Sequence, residues 1–481
     1  MMQIRICEKL IISDPTEEVI EYCKNHLIMQ NPEFYKLAQS GKWTGNTDRY
    51  IWMYERIGYD LWLPFGCLQD IWSMYPMKYA YKLEICPLRH VKYESGINLY
   101  PYQQKAVNEA ISSKNGILVM PCGSGKTQCG LEIIARIGGR ALWLTHTHDL
   151  LMQSKERASK MLACGRFGEI TAGKVDIGES ITFATVQTMA KIDLQKYKDV
   201  WSVIIVDEAQ HCCGTPARVT QFYKVVSSLS ARYKIGLTAT PKRADGLQAC
   251  MFALLGKKIY EVTREEVAHT TCHVKVAQIR TGWMPDVDDI LMGDGTIDYN
   301  KVIDNMVHDD DRFNVVWSTI AGLYHAGAVM VLANRVEYLQ RLCDAYNKGQ
   351  AGMAVCLSGM GQSKKAKAER KAALERLNNG EINAIFATYK LAKEGLDVPN
   401  LRYVVFATPE KDETTVIQSV GRVGRKADGK AYGTVIDLVD EFGMYVDWAS
   451  RRRGYYKRIG AEISQKSKNG IDISSPWAYS S

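Results

Sequence analysis

The sequence has few of the features that mark secreted, membrane-spanning or repeat proteins. It contains no run of about 18 apolar residues, so we expect no membrane span. The stretch 1–11 carries Arg5, Glu8 and Lys9 among apolar neighbours and has no small-residue cleavage site, so we expect no signal peptide. Internal repeats and low-complexity segments are also missing.

Paired cysteines are missing as well. The 13 cysteines are odd in number and form no Cys-x-x-Cys pair. Disulfide frameworks and zinc sites normally show paired cysteines at regular spacings. We therefore expect reduced thiols and a cytoplasmic protein.

Composition is that of a globular protein with a small basic surplus. Hydrophobic residues make up 46% and charged residues 24% of the 481 positions, and the net charge is +8. This length is enough for several domains of about 100–200 residues each. The positive charge is compatible with a polyanionic partner without identifying one.

Four segments differ in their patterns. Residues 1–96 are rich in aromatic side chains and are predicted to form a separate N-terminal domain. In 97–264, and again in 265–445, short apolar runs alternate with helix-like stretches. Such runs suit parallel strands that are covered on both faces, so we predict two tandem α/β domains with parallel sheets. Residues 446–481 are basic and are predicted to form a helix and tail.

The stretch 120-MPCGSGKTQ-128 is typical of the second half of a phosphate-binding loop. Its two glycines allow a tight turn that aims backbone N–H groups at phosphate oxygens. Lys126 is expected to reach the β- and γ-phosphates of ATP, and Thr127 to offer its hydroxyl to Mg²⁺. The residues predicted to bind the nucleotide here are Pro121, Cys122, Gly123, Ser124, Gly125, Lys126 and Thr127.

Two acids follow the apolar run 203–206. Asp207 is placed to hold Mg²⁺, and Glu208 to orient and deprotonate an attacking water. An Asp-Glu pair alone also fits an ordinary turn at the end of a strand. Together with Lys126, the pair predicts ATP hydrolysis with ATP and Mg²⁺ as cofactors.

These motifs resemble those of superfamily 2 helicases of the DEAD/DEAH class, and within it the XPB/UvsW-like group, over about residues 97–445. The resemblance implies two RecA-like domains. XPB-like members tolerate an apolar residue where Met120 stands, so the loop is expected to tighten at Gly123 instead. The stretch 99-LYPYQQ-104 resembles the adenine-reading motif and implies Gln103 for the base. The acidic box departs from the family pattern, because Gln210 occupies its last position.

Further motifs of the family imply contacts with nucleic acid. They include 145-THTHDLLMQ-153 and 181-ITFATVQ-187, while 236-GLTATP-241 resembles the motif that links hydrolysis to movement. The residues implied to contact nucleic acid are Thr147, Thr185, Gln187, Arg335, Ser358 and Thr388. Contacts of this kind follow phosphates, so we expect no strong sequence preference.

The motif 418-QSVGRVGR-425 implies arginines that stabilise charge developing on the γ-phosphate. Arg422 and Arg425 are three residues apart, so we expect them on one face of a helix. Because they are far along the chain from Lys126, the ATP site is expected to need both α/β domains. The family also implies Gln418, Gly395 and Asp397 on the nucleotide-facing surface of the second domain.

Both ends of the chain leave two interpretations open. The basic segment 446–481 is either a helix that packs on the motor and touches backbone phosphates or a solvated helix with a frayed tail. The tryptophans of 1–96 are more often core residues, although exposed aromatics also stack on splayed bases. Related motors carry an N-terminal domain that engages DNA, and we expect the same of this segment.

The sequence therefore predicts an ATP-dependent helicase and translocase for duplex, forked or junction DNA. The resemblance suggests unwinding, branch migration or reannealing in recombination and repair, in a bacterial or phage-infected cell. A monomer is compatible with the sequence, as is action with other replication or recombination proteins. The alternatives are an RNA helicase and an ATP-switched nucleic-acid sensor that unwinds nothing.

Replacing Arg425 by alanine tests the role implied for this motif. We expect Arg425→Ala to lower the rate of ATP turnover by about 10³-fold with little change in ATP affinity, because an arginine finger acts in the transition state. Steady-state ATPase kinetics and nucleotide binding measure the two effects separately. A loss of affinity at unchanged turnover would mean that Arg425 only binds the nucleotide.

Overall fold

The computed structural model describes residues 2–76, 81–121, 123–241, 243, 245–268, 270–293, 295–350, 352–361, 363–393, 396, 398–427 and 429–466. The chain divides into two compact units, Met1–Glu266 and Val267–Ser481. Each unit is built around its own sheet or sheets.

The N-terminal part of the first unit is a five-stranded sheet in the order β5-β6-β2-β1-β7, with a separate two-stranded pair β3-β4. Strands β1 and β7 are parallel and the other neighbours in the five-stranded sheet are antiparallel. The strands are β1 (Gln3–Ile6), β2 (Lys9–Ser13), β3 (Ile28–Gln30), β4 (Tyr50–Trp52), β5 (Glu55–Ile57), β6 (Asp60–Pro64) and β7 (Tyr81–Leu83). The helices are α1 (Glu17–His26), α2 (Pro32–Gln39) and α3 (Leu68–Met74).

The rest of the first unit is an eight-stranded sheet in the order β13-β12-β14-β10-β15-β16-β9-β17, parallel except for the β12-β13 pair. Its strands, with the outlying pair β8-β11, are β8 (Tyr93–Ser95), β9 (Asn115–Val119), β10 (Ala141–Thr145), β11 (Leu162–Cys164), β12 (Gly168–Thr171), β13 (Lys174–Asp176), β14 (Ile181–Thr185), β15 (Val203–Asp207), β16 (Tyr233–Thr238) and β17 (Lys258–Glu261). The helices are α4 (Pro101–Ser113), α5 (Lys126–Ile137), α6 (His148–Met161), α7 (Val186–Met189), α8 (Gln221–Val226), α9 (Gln248–Leu255) and α10 (Arg264–Val267).

The central strands are buried along their whole length, which explains their nearly continuous apolar sequences. Every residue of β9, β10, β14 and β15 is buried. A parallel sheet covered by helices on both faces has no solvent face on which polar residues could alternate. The α/β class with parallel sheets predicted from sequence is confirmed.

The N-terminal sheet shares its core with helix α9. Cys250 and Ala253 of α9 lie in the same apolar cluster as Leu63 and Phe65. At Gly66 the two parts approach so closely that a Cβ atom would lie 2.4 Å from the carbonyl oxygen of Ala253. The N-terminal part and the eight-stranded sheet therefore pack as one body.

The second unit is a seven-stranded sheet in the order β20-β21-β19-β22-β23-β18-β24, and all its neighbouring strands are parallel. Its strands are β18 (His273–Arg280), β19 (Ala328–Ala333), β20 (Ala354–Cys356), β21 (Ala384–Thr388), β22 (Leu401–Phe406), β23 (Tyr432–Val439) and β24 (Glu462–Lys466). The helices are α11 (Val287–Ile290), α12 (Tyr299–His308), α13 (Asp310–Ala321), α14 (Val336–Gly349), α15 (Lys364–Asn378), α16 (Tyr389–Lys393), α17 (Glu413–Val423) and α18 (Gly443–Arg458).

The basic C-terminal segment is partly built into this sheet. Arg452 of α18 is buried and forms an ion pair with Asp437 at 2.7 Å, and the Tyr456 hydroxyl donates to the same carboxylate. Strand β24 then joins the sheet beside β18. Helix α18 therefore packs on the sheet, as the first interpretation expects, but the charge of Arg452 is used inside the protein, and contact of this segment with phosphates stays a prediction. Residues 467–481 lie outside the described part of the chain.

Lys234 is a fully buried lysine where strand β16 meets the N-terminal sheet. Its ammonium donates to the carbonyl oxygens of Val226 at 3.0 Å and Glu8 at 3.3 Å, and it lies 4.3 Å from the ring centroid of Phe65. Burial lowers the pKa of Lys234 to about 7, although Glu8 and two nearby cysteines oppose the change.

This buried lysine predicts a pH dependence of stability. Unfolded lysine keeps its proton up to a pKa of about 10.4, so the unfolded state binds more protons above pH 7 and the free energy of unfolding rises with pH. We expect this slope, at most about 1.4 kcal/mol per pH unit between pH 7 and 9, to be missing in Lys234→Met. Denaturant unfolding at a series of pH values measures it, with Lys36→Met, which removes an exposed lysine, as control. Equal slopes in wild type and Lys234→Met would contradict the assignment.

Candidate nucleotide and nucleic-acid site

Three neighbouring strands bring the predicted ATP residues to one edge of the first unit's eight-stranded sheet. Strands β15, β16 and β9 are adjacent and parallel, with Asp207 opposite Leu237 and Thr238 opposite Val119. The phosphate loop follows β9, and Asp207 is the last residue of β15. The carboxyl edge of a parallel sheet is where ligands of α/β proteins usually bind.

The phosphate loop turns at Gly123 and Gly125, both with φ of +84°. Met120 is buried, and its N–H donates to the carbonyl oxygen of Thr238 at 2.8 Å. The loop therefore tightens at Gly123, as expected from the sequence, and Met120 is a core residue. The Ser124 hydroxyl donates to the carbonyl oxygen of Pro121 at 2.7 Å. Cys122 lies outside the described residues.

Gln103 braces this loop from the start of helix α4. Its Nε2 donates to the carbonyl oxygen of Ser124 at 2.8 Å, and its Oε1 accepts from the N–H of Tyr100 at 2.9 Å. The Tyr102 hydroxyl donates to the same Ser124 oxygen at 3.1 Å. A Cβ atom on Gly125 would lie 2.3 Å from Gln103 Nε2, so the glycine is needed for this contact. Contact between Gln103 and the adenine base remains a prediction.

The two acids of the box have opposite electrostatic settings. Burial raises the pKa of the Asp207 carboxyl, and the neighbouring charge of Glu208 adds to the rise while Lys126 opposes it. Burial also acts to raise the pKa of Glu208, but Lys126, the Gln210 amide and two nearby histidines outweigh it and lower the pKa. Glu208 therefore stays ionised to lower pH than Asp207, so its carboxylate can accept a hydrogen bond from a water. Its backbone has the left-handed φ of +52°, a strained conformation often found at functional sites.

Gln210, the departure from the family box, links Glu208 to the strand that ends at Thr238. Its Nε2 donates to Glu208 Oε2 at 2.7 Å, and its Oε1 accepts from the Thr238 hydroxyl at 2.6 Å. The Arg243 guanidinium donates to the Gln210 carbonyl oxygen. The amide nitrogen of Gln210 thus holds the Glu208 carboxylate, and the bond between its amide oxygen and Thr238 fixes the amide itself.

The oxygens near Asp207 suit Mg²⁺. This ion prefers hard oxygen ligands and is usually bound by one or two carboxylates plus substrate phosphates. Asp207 offers a carboxylate whose raised pKa indicates that a nearby cation would stabilise its charge. Thr127 offers a hydroxyl, which accepts from Arg157 Nη1 at 3.2 Å. The residues present therefore fit the ion.

The predicted nucleic-acid residues of the first unit follow two other strands of the same sheet. Strands β10 and β14 end side by side, with Thr145 opposite Thr185. The Thr147 side chain accepts from the N–H of Leu150 and caps helix α6, and Gln187 Nε2 donates to the carbonyl oxygen of His146 at 2.6 Å. The structure brings these motifs together.

In the second unit, the residues predicted to contact nucleic acid, Arg335, Ser358 and Thr388, likewise lie at or just after the ends of neighbouring strands, β19, β20 and β21. The N–H of Thr388 donates to Ser358 Oγ at 2.7 Å, which joins two of the predicted residues. Arg335 lies just before helix α14, and its Nε forms an ion pair with Asp304 at 3.0 Å. Contact of these residues of the first and second units with nucleic acid stays a prediction.

The arginine motif departs from its expected geometry. Helix α17 ends at Val423, so the expectation that Arg422 and Arg425 share a helix face is wrong. Gly424 closes the helix, and Arg425 instead forms a backbone bridge with Thr271. The buried Arg422 guanidinium donates to the carbonyl oxygens of Ala392 and Leu396. Gln418 is buried within α17, whereas Gly395 and Asp397 lie outside the described residues.

Comparison with known proteins agrees with these motifs. Residues 96–243 match the family model described as type III restriction enzyme, res subunit. Residues 314–427 match the helicase conserved C-terminal domain. The matches lie in the first and second units.

Several named helicases are similar to the chain over most of its length. The DNA 3'-5' translocase XPB2 of Sulfurisphaera tokodaii is 26% identical over 74% of this chain and 85% of that protein. Protein L396 of Acanthamoeba polyphaga mimivirus, named as an ATP-dependent RNA helicase, is 26% identical over 75% of this chain and 68% of its own length. Helicase D10 of Escherichia phage T5 is 24% identical over 70% of each chain. The chain is a superfamily 2 helicase.

Solved structures agree with this fold. A fragment of the HsdR subunit of a type I restriction enzyme from Vibrio vulnificus superposes on the helicase with a TM-score of 0.54, at 19% identity, over 80% of this chain and 70% of the fragment. Dbp5 of S. cerevisiae, bound to RNA and ADP BeF3, gives a TM-score of 0.55 at 17% identity, over 85% and 94% of the two chains. Within the described part of the helicase, no helix has the length and apolar character needed to cross a bilayer.

Sequence reasoning missed three residues of the helicase's site. Arg157 touches Thr127, Tyr102 holds the phosphate loop, and Gln210 fixes Glu208. Arg157 is on α6, and no sequence signal links this helix to the loop. Gln210 was visible as a departure from the family pattern, but only the fold shows that both ends of its amide are bonded.

The Gln210 link predicts coupled effects of two substitutions. We expect Gln210→Ala to lower the rate of ATP turnover by about 10- to 100-fold with little change in KM, because Glu208 loses the donor that orients it. Thr238→Val should do the same more weakly, and the double variant should be less impaired than the product of the single effects. Steady-state ATPase kinetics measure all three, and Gln221→Ala, at an exposed glutamine, is the control. Independent effects that simply multiply would contradict the link.

Proposed function

We propose that the protein is a Mg²⁺-dependent ATPase that moves along duplex or branched DNA and remodels it without strong sequence preference. The observation that carries the proposal is the pair of the buried Asp207 and the half-buried Glu208, both close enough to Lys126 for its charge to lower their pKa values, at the carboxyl edge of the first unit's sheet. Unwinding, branch migration and reannealing are the outcomes that such a motor produces at forks and junctions.

The chain's own residues supply the hydrolytic chemistry. Glu208, which its lowered pKa keeps ionised, orients the attacking water and takes up its proton as the bond to phosphorus forms, while Gln210 keeps the carboxylate oriented. Lys126 and the N–H groups of the phosphate loop neutralise the phosphates of ATP at the start of helix α5. Mg²⁺, held by Asp207 and Thr127, would neutralise charge that develops on the phosphates.

Two considerations favour DNA over RNA. The XPB2 relative is named as a DNA 3'-5' translocase, and its match with this chain spans 85% of its own length. The loop with Met120 in place of glycine follows the XPB-like form of the motif. The predicted nucleic-acid residues around Thr185 and Thr388 offer hydroxyls and backbone groups. Such groups bind phosphates and do not distinguish one base from another.

An RNA helicase is the second candidate, because the mimivirus relative is named as one. An RNA enzyme of this class shares the ATPase residues and differs by contacts with the 2′-hydroxyl. A sensor that uses ATP as a switch without unwinding shares the same residues as well.

The purified protein's ATPase rate separates these candidates. It is measured at fixed salt without nucleic acid and then with duplex DNA, forked DNA, single-stranded DNA and RNA. Strong stimulation by duplex or forked DNA is expected, and stimulation by RNA alone would overturn the choice of DNA. Strand displacement from a labelled fork separates a motor from a switch.

Lys126→Ala tests the ATP site itself. We expect it to abolish ATP turnover while DNA binding without nucleotide is largely kept, because the role predicted for the lysine is to bind the phosphates of ATP and not DNA. Turnover and DNA affinity are measured on the same preparation, with Lys105→Ala on the exposed side of α4 as control. Unchanged hydrolysis in Lys126→Ala would refute the assignment of the whole site.

A further inference from the structure

A cleft of about 350 Å³ opens on the N-terminal part of the first unit, between helix α1 and strands β4 to β6. Its floor contains the buried side chains of Cys23 and Leu61. One wall is aromatic, where the rings of Trp52 and Tyr54 lie 5.7 Å apart between centroids at 56°. We call this the α1–β5 cleft. Its volume falls within the range of small-molecule sites.

The polar lining of the α1–β5 cleft is positive. Lys24 from α1 and Arg56 from β5 line it, and the described lining contains no Asp or Glu. Four acids are sequence neighbours of lining residues but are not in the lining themselves: Asp14, Glu21, Glu55 and Asp60. Of these, Glu55 forms an ion pair with Lys9 at 3.3 Å. An apolar, aromatic cavity with two cations and no acid complements a flat ring that carries a negative group.

Trp52 is not needed to fill the core of the N-terminal sheet. Its side chain is 49% exposed, as is the neighbouring Tyr50 at 42%. Both residues lie on the same face of β4, because side chains two apart in a strand point the same way. The Arg49 guanidinium lies 5.6 Å from the Tyr50 ring centroid. The aromatic strip Tyr50–Trp52 thus runs into the cleft with a cation at either end, which contradicts a core role for Trp52.

We propose that the α1–β5 cleft binds an unpaired nucleotide of DNA, with the base stacked on Trp52 and the phosphate near Lys24 and Arg56. The proposal rests on the function proposed above and adds the feature of the DNA that the N-terminal part recognises. Every base has a π-face, so stacking on Trp52 tolerates any sequence. A paired base is stacked inside its helix and does not fit between α1 and β5, so the cleft selects unpaired positions at a fork, tail or junction.

The test measures DNA affinity without ATP, by fluorescence anisotropy, for a blunt duplex and for the same duplex with a short unpaired DNA tail. Because stacking on an aromatic side chain contributes substantially to binding, Trp52→Ala should weaken binding of the tailed duplex roughly 5- to 100-fold. The change for the blunt duplex should be less than about twofold. Trp52→Phe, which keeps an aromatic face, should restore most of the loss.

Two further arms identify the parts of the nucleotide. A tail with abasic positions should bind wild type more weakly, and Trp52→Ala should no longer distinguish it from a normal tail. Lys24→Ala with Arg56→Ala should reduce the dependence of affinity on salt, whereas Trp52→Ala should leave that slope unchanged, because only phosphate contacts release counterions.

Trp43→Ala is the matched control, because Trp43 is 85% exposed and does not line the cleft. Equal losses for blunt and tailed duplex, an equal loss in Trp43→Ala, or an effect seen only with an RNA tail would each overturn the proposal. If forked DNA stimulates the ATPase of the wild type but Trp52→Ala binds the tailed duplex as tightly as the wild type, the proposal for the cleft is wrong and the proposed function stands. If no DNA stimulates the wild type or binds to it, the proposed function fails with it.

Discussion

The parallel hydrogen bonding of β15, β16 and β9 is the constraint on which the site depends. Because neighbouring parallel strands end at the same edge, the register that sets Thr238 opposite Val119 also sets the phosphate loop beside the acidic box. The loop is tied to β16 by the bond between the Met120 N–H and the Thr238 carbonyl oxygen. A one-residue slip of β16 would break this bond and separate Thr238 from Gln210.

The same strand connects the ATP site to the N-terminal sheet. Strand β16 carries Thr238 at its end and Lys234 in its interior, where the buried ammonium bonds to the Glu8 carbonyl oxygen. Helix α9, which follows soon after β16, packs on Phe65 and Gly66. A DNA-binding N-terminal part would therefore move together with the strands that carry the acidic box, and force on one would be transmitted to the other through packed side chains.

In the second unit, buried ion pairs attach helices α13 and α18 to the region of strand β23. Arg312 and Asp440 are completely buried and paired at 2.7 Å, and Arg452 with Asp437 fixes α18 in the same way. Breaking such a pair leaves a lone buried charge and typically costs about 3–5 kcal/mol. This cost explains why one arginine of the basic triplet 451–453 is structural even though its neighbour Arg451 is exposed.

The sequence by itself determined the α/β class, the tandem parallel sheets, the phosphate loop and the acidic pair, because these follow from apolar periodicity and local motifs. Tertiary structure decided the rest. Gln210 bonds to the distant Thr238 and Arg157 to the distant Thr127. Helix α17 ends before Arg425, and Arg452 is inside the protein. It also decided that Trp52 lines a cleft while its sequence neighbour Met53 fills the core. The reason is physical: a motif fixes local backbone and residue type, whereas burial and partnership depend on which surfaces the fold brings together.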